Sequence, residues 1–300
     1  MLKRVESCIV NGEEKKPFES KRELSGMNET KQLKKDANRV LKATSRTFYI
    51  PISRLSQDLQ EAVGAAYLCM RAIDEIEDHE ELATDIKTTL LRETALMMRG
   101  TFSATAYLEL IAPYTAHLPE VTLRLPEWIA YCPAAIRPKV LDSTAEMAEG
   151  MAVWAERDWT VKTEADLDEY TYYVAGLVGV MLSDIWYWKA GIVTDKQQAI
   201  GFGRGLQAVN ILRNQQEDAE RGVGYFPPGW TTDTMFAYAR ENLAEADAYL
   251  ASIPKETTIY EFCHIPLALA HGTLDALARG KEKLSRPEVL KIVGAAVLKR

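Results

Sequence analysis

From about residue 30 to the carboxyl terminus, apolar residues recur at spacings of three and four, and stretches that alternate apolar with polar side chains are few. Such spacing places side chains on one face of an α-helix, whereas a strand needs a period of two. The chain is therefore predicted to be all-α. Helices are expected over about 30 to 43, 56 to 79, 85 to 111, 135 to 158, 165 to 189, 195 to 221, 232 to 251 and 257 to 279, with a short one from about 286. Proline and glycine interrupt the pattern at LPEVTLRLPEW (118 to 128), YCPAAIRP (131 to 138), VGYFPPGW (223 to 230) and ASIPKE (251 to 256), which read as interhelical loops. No Gly/Ser-rich or Pro-rich linker divides the chain. Residues 27–300 are expected to form one helical domain behind a polar, flexible leader, residues 1–26.

With 300 residues, 47% of them apolar, the chain can bury a substantial core. A net charge of -7 argues against broad attraction to nucleic acid, and no nucleic-acid motif is present. Cys8, Cys69, Cys132 and Cys263 form no CxxC pair, which suits reduced thiols and a cytoplasmic setting. The amino-terminal MLKRVESCIVNGEEKK has too short an apolar run for a signal peptide. The most apolar segment, residues 174–193, is interrupted by Asp184 and Lys189 and leaves no clean run of the roughly 20 residues that a bilayer needs. A soluble protein is expected, and a peripheral membrane contact is compatible with a lipid substrate. Oligomeric state is open.

Two polar stripes carry the candidate chemistry. In RAIDEIEDHE (71 to 80), Asp74 and Asp78 stand four apart on one helical face with Glu77 beside them and Glu75 turned away. Tyr67 and Arg71 continue the same face upstream. In GFGRGLQAVNILRNQQEDAERG (201 to 222), Gln207, Asn210, Asn214, Glu217 and Asp218 recur at spacings of three and four. Facing helices with such oxygen ligands could hold Mg2+, which prefers carboxylates, waters and phosphate oxygens. The metal would bridge protein carboxylates to a diphosphate, and Arg46, Arg71 and Arg213 could neutralise the remaining oxygens. A pair of solvated acidic faces is the plain alternative, and spacing alone leaves both open.

The pieces SRTFYIPI (45 to 52), AAYLCMRAIDEIED (65 to 78), DEYTYYVAGLVGVMLS (168 to 183) and GRGLQAVNILRNQQEDAERGVGYFP (203 to 227) occur in an order that resembles the squalene/phytoene synthase family, the head-to-head prenyl synthases. The resemblance covers nearly the whole chain from about residue 35. It implies an isoprenoid synthase fold, a single helical bundle around a central cavity, with two acidic motifs binding the diphosphates through Mg2+. Carried to this chain, the metal ligands are Asp74, Glu77 and Asp78 in the first motif and Asn214, Glu217 and Asp218 in the second. Asn214 departs from the family's usual aspartate; it keeps a carbonyl oxygen but loses the charge. Val223 stands where many relatives carry arginine.

The same resemblance gives Tyr170 a role near the departing diphosphate and Phe48 a place in the cavity wall. Tyr67 and Tyr173 are further aromatic candidates, suited to stabilising prenyl cations. The implied catalytic set is Tyr170, Tyr67, Arg71, Asp74 and Asp78; Arg46, Phe48, Tyr173, Gln207, Asn210 and Arg213 would bind substrate. Ordinary core packing is the competing account of the aromatics, and ordinary helix packing of Gly176 and Gly179. His79, His117, His264 and His271 form no ligand set, and Cys69 and Cys263 suit buried packing.

The implied reaction joins two prenyl diphosphates through a cyclopropyl intermediate. Reduction by NADPH would give squalene; proton loss without reduction would give dehydrosqualene or phytoene. FCHIPLALAHGTL (262 to 274) leans toward the squalene branch. No Rossmann-type glycine fingerprint announces NADPH, but the family does not use that fold. Two rivals remain: a farnesyl diphosphatase, which Asn214 keeps open, and a noncatalytic prenyl-lipid-binding scaffold.

Overall fold

The structure, a computed structural model, describes residues 21–45, 48–220 and 224–298. In chain order the helices are α1 (Lys21–Thr44), α2 (Tyr49–Ser53), α3 (Gln57–Glu77), α4 (Thr84–Arg99), α5 (Ala104–Ile111), α6 (Glu120–Leu123), α7 (Leu125–Tyr131), α8 (Arg137–Glu156), α9 (Glu164–Thr171), α10 (Leu177–Ala190), α11 (Lys196–Glu220), α12 (Thr232–Ala251), α13 (Thr258–Ala278) and α14 (Arg286–Leu298). A 3-10 turn, Ala112–Tyr114, succeeds α5, and a π-helical turn, Tyr172–Gly176, joins α9 to α10. Among the described residues there is no strand, as the helical period predicts.

The core is organised on α3. Ala62, Ala65, Ala66, Leu68, Cys69, Ala72, Ile73 and Ile76 have no exposed surface. Small residues on several faces let α1, α6, α7, α8 and α10 all pack against this one helix. α4 packs along α8, and α11 pairs with α12. That pair is antiparallel, because a Cβ at Gly201 would meet Glu245 while one at Gly205 would meet Leu243.

Glycine also sets the approach of α10 to α11. A Cβ on Gly179 would stand 2.0 Å from the Ala199 carbonyl oxygen, and one on Gly203 would stand 2.1 Å from that of Ala175. No side chain fits either position without moving a backbone. At the end of α10, Gly191 takes φ 64°, the left-handed conformation that closes helices.

Several boundaries differ from the sequence expectation. The helix expected over 85 to 111 breaks at Gly100, and Ser103 starts a new one by accepting a hydrogen bond from the Ala106 N–H at 3.2 Å. The stretch 118–128, expected as a loop, contains α6 and the start of α7. Its prolines fall at helix starts, Pro119 as the N-cap of α6 and Pro126 in the first turn of α7, where no intrahelical N–H is needed. α1 already runs from Lys21, ahead of the Met27 boundary; residues 1–20 of the expected leader lie outside the described residues. Pro266 sits inside α13, which continues through it. Among the described residues no helix is long and apolar enough to cross a membrane.

Candidate active site

α2, α3, α8, α10, α11, α12 and α13 enclose a cavity of about 450 Å3. Its wall is mostly apolar, with Ile52, Val63, Met70, Met147, Val178, Leu182, Phe202, Leu206 and Phe262 among the lining side chains. One end is polar. There α3 presents Tyr67, Arg71 and Asp74, and α11 presents Gln207 and Asn210. The two stripes read from the sequence thus meet across one space.

The polar end is held in register by short-range contacts. The Tyr67 hydroxyl donates to the Thr44 carbonyl at 3.0 Å, tying α3 to the end of α1, and the Phe48 N–H donates to Ser45 Oγ at 3.0 Å. Arg71 Nη1 donates to Asp74 Oδ2 at 2.6 Å, and its Nε donates to Glu75 Oε1 at 2.8 Å. Glu75, turned away from the cavity, therefore anchors the guanidinium from behind.

Asp74, Glu77 and Asp78 each place a carboxylate oxygen within 4.8 Å of the others, and among the described residues they are the one acidic group gathered closely enough to share an ion. Burial, then the neighbouring Asp78, pushes the Asp74 carboxyl up to about 7. Burial, then Asp78 and Asp74, pushes Glu77 up to about 9, although Lys87 opposes the rise. Three crowded carboxylates of this kind have the donor chemistry of a hard divalent cation, whose charge would remove their mutual repulsion.

The second motif is arranged differently. Asn214 is half-buried and its Oδ1 accepts from Arg213 Nε at 3.1 Å; Arg213 and Glu217 are exposed, and Asp218 is buried. Arg213 does not reach the cavity wall. Arg46 and Val223 lie outside the described residues.

Tyr170 is 6% exposed and packs edge-on against Trp154 and Trp159. Its ring stacks on Tyr225, with centroids 4.8 Å apart and planes 14° from parallel. Burial, with Tyr225 beside it, raises the Tyr170 hydroxyl well above the ordinary phenol range, and Gln207 also interacts with that hydroxyl. Tyr225 is raised by burial and by the charges of Glu77, Asp218 and Asp78. It therefore stands where the two acidic motifs converge. Sequence reasoning missed Tyr225 because it sits on the loop after α11, outside any helical stripe; its nearness to the second acidic motif was the available signal.

Tyr173 is not in the cavity wall. Its ring seats on Gly150 of α8, where a Cβ would come within 2.2 Å of it. From the same π turn Val174 and Ala175 face the cavity instead, followed by Val178 of α10.

The sequence profile of the squalene/phytoene synthases matches residues 41–234, more than half of the chain. The chain belongs to the squalene/phytoene synthase family. The squalene synthase of Schizosaccharomyces pombe is 30% identical over 281 residues, covering 81% of this chain and 59% of that protein. The squalene synthase of Nicotiana benthamiana is 27% identical over 306 residues, covering 85% and 68%. This family member thus spans about 60 to 70% of the length of the curated relatives it matches.

Among solved structures, TcSQS in complex with the ligand BPH1237 superposes with TM-score 0.74 at 24% identity, covering 88% of this chain and 86% of that one. A ligand-bound dehydrosqualene synthase superposes at 0.62 and 20% identity, covering 90% and 97%. The likeness is closer to the squalene synthases, and the architecture is the all-α isoprenoid synthase fold. Membership places the protein in an enzyme family associated with head-to-head prenyl condensation and isoprenoid biosynthesis.

Proposed function

We propose that the protein condenses two farnesyl diphosphates head to head, through presqualene diphosphate, to squalene. The observation that carries this reading is one mostly apolar cavity whose polar end joins Arg71 and Asp74 on α3 to Gln207 and Asn210 on α11, beside the Asp74, Glu77 and Asp78 cluster. A prenyl diphosphate has the same division between hydrocarbon and anion.

Each side chain has a part in this chemistry. Phe48, Val178, Leu206 and Phe262 surround the prenyl chain and keep water from the allylic cation that forms at C1. Arg71 meets diphosphate oxygens by releasing its hold on Asp74. Gln207 and Asn210 orient the same group with neutral amides, which do not trap a cation as a free carboxylate would. The Tyr170 hydroxyl, a protonated phenol beside Gln207, can donate a hydrogen bond to the departing diphosphate. Asp74, Glu77 and Asp78 would hold Mg2+, with Asn214, Glu217 and Asp218 as the second set; bound there, the metal would supply Lewis-acid stabilisation of the leaving group.

The first coupling releases one diphosphate and one proton, and rearrangement of the cyclopropyl diphosphate releases the second diphosphate. Reductive closure would take a hydride from NADPH.

The test is diphosphate release from farnesyl diphosphate with Mg2+ in the unmodified protein and in Asp74→Ala and Asp78→Ala. Loss of a carboxylate that holds the cation stabilising a leaving anion is expected to cost on the order of 100-fold or more in kcat/KM. Both variants are expected to lose that much while keeping their helical circular dichroism. Full activity in both would overturn the site, and release of diphosphate with farnesol as the product would favour the diphosphatase.

A further inference from the structure

Opposite the diphosphate end, the cavity stops at an aromatic floor. Phe202 lies eight residues before Asn210 on α11, so it stands about 12 Å deeper along the helix axis. Tyr249 of α12 packs edge-on against Phe202, with centroids 5.6 Å apart, and it also lines the cavity while being only 3% exposed. Its ring is therefore a wall at the deep end.

The ring is tethered from behind. Ser183 Oγ donates to the Gly179 carbonyl at 2.9 Å, which commits its one proton. The Tyr249 hydroxyl, 2.9 Å from the same Oγ, must then be the donor in that pair. Trp186 Nε1 and Thr194 Oγ1 are buried beside this hydroxyl, which is the polar group they interact with. The far side of the ring is thus polar, and hydrocarbon pushed into it would bury those groups unsatisfied.

We propose that Tyr249, tethered through Ser183, is the specificity-determining floor of the prenyl site and sets the longest chain the cavity accepts. The inference rests on the prenyl condensation reading above. A ring held only by apolar contacts could swing aside for an extra isoprene unit, whereas displacing this ring breaks its bond to Ser183 and strips polar groups of their neighbour. Tyr249 touches neither Arg71 nor the acidic cluster, so its effect is confined to chain length.

The experiment compares kcat/KM for the C20 substrate, geranylgeranyl diphosphate, with that for the C15 farnesyl diphosphate. In Tyr249→Ala the C20 to C15 ratio is expected to rise at least about tenfold, the lower end of what one pocket contact contributes to discrimination. In Tyr249→Phe, which keeps the ring, it is expected to rise by less than in Tyr249→Ala. A merely structural role would lower both rates together and leave the ratio unchanged. Should Tyr249→Ala fail to fold, Tyr249→Leu, closer in volume, is measured in its place with the same direction expected. An unchanged ratio in a folded variant of an active enzyme overturns the floor. An unmodified protein that consumes neither diphosphate overturns the condensation reading instead.

Discussion

Glu77 is half-buried beside Asp78 and Asp74, and each circumstance disfavours its charge. Its folded-state value, about 9, and that of Asp74, about 7, both lie above the ordinary values of 4.5 and 3.8. Below about pH 4 the pair costs little, because folded and unfolded chains are both protonated. As pH rises, the unfolded chain ionises first, so the folded protein binds more protons and loses stability until its own carboxyls ionise. The metal-free protein should therefore melt at lower temperature at pH 8 than at pH 5, and Glu77→Gln should flatten that slope. Thermal unfolding across this range checks it; an identical slope in the variant would place the strain elsewhere. At the second motif, Asn214→Asp should lower the Mg2+ concentration needed for half-maximal turnover, since it adds a charge to a neutral position. An unchanged Mg2+ titration would remove residue 214 from the ligands.

At the scale of elements, the wall between α10 and α11 depends on bare backbone. Gly203→Ala drives a methyl into the Ala175 carbonyl, and overpacking of this kind costs about 1 to 3 kcal/mol. Denaturant unfolding should show that loss through a lower midpoint, and no loss would mean that the two helices part freely. The elements also show what could be read in advance. Long stripes such as those of α3, α11 and α12 were legible, because a 3.6-residue period survives any tertiary context that buries one face. The short α6 and α7 were hidden by Pro119 and Pro126, which mark helix starts as readily as loops. Tyr173 was one of several aromatic candidates, and its packing on Gly150 depends on how α8 meets the π turn, which the sequence does not show. Asp74, Gln207 and Asn210 were legible because they share a stripe with apolar neighbours, while Tyr225 reaches the site from a loop that no periodicity describes.

For the whole molecule, the bundle separates two environments along one cavity: Asp74 in its wall, with Glu77 and Asp78 beside it, crowds charge at one end, and Phe202 and Tyr249 close hydrocarbon space at the other. The helices that carry them lie far apart in sequence, so the juxtaposition belongs to the fold and not to either motif. That division is what a reaction needs if diphosphate must leave through polar contacts while a carbocation stays dry. The most direct test labels farnesyl diphosphate with carbon-13 at C1 and incubates it with the protein and Mg2+, with and without NADPH. Head-to-head condensation predicts a C30 hydrocarbon two mass units heavier than the unlabelled one, with both labels in the single resonance of its two equivalent central carbons, squalene itself appearing with NADPH. Farnesol carrying an isolated label, or unconsumed substrate, would contradict head-to-head condensation.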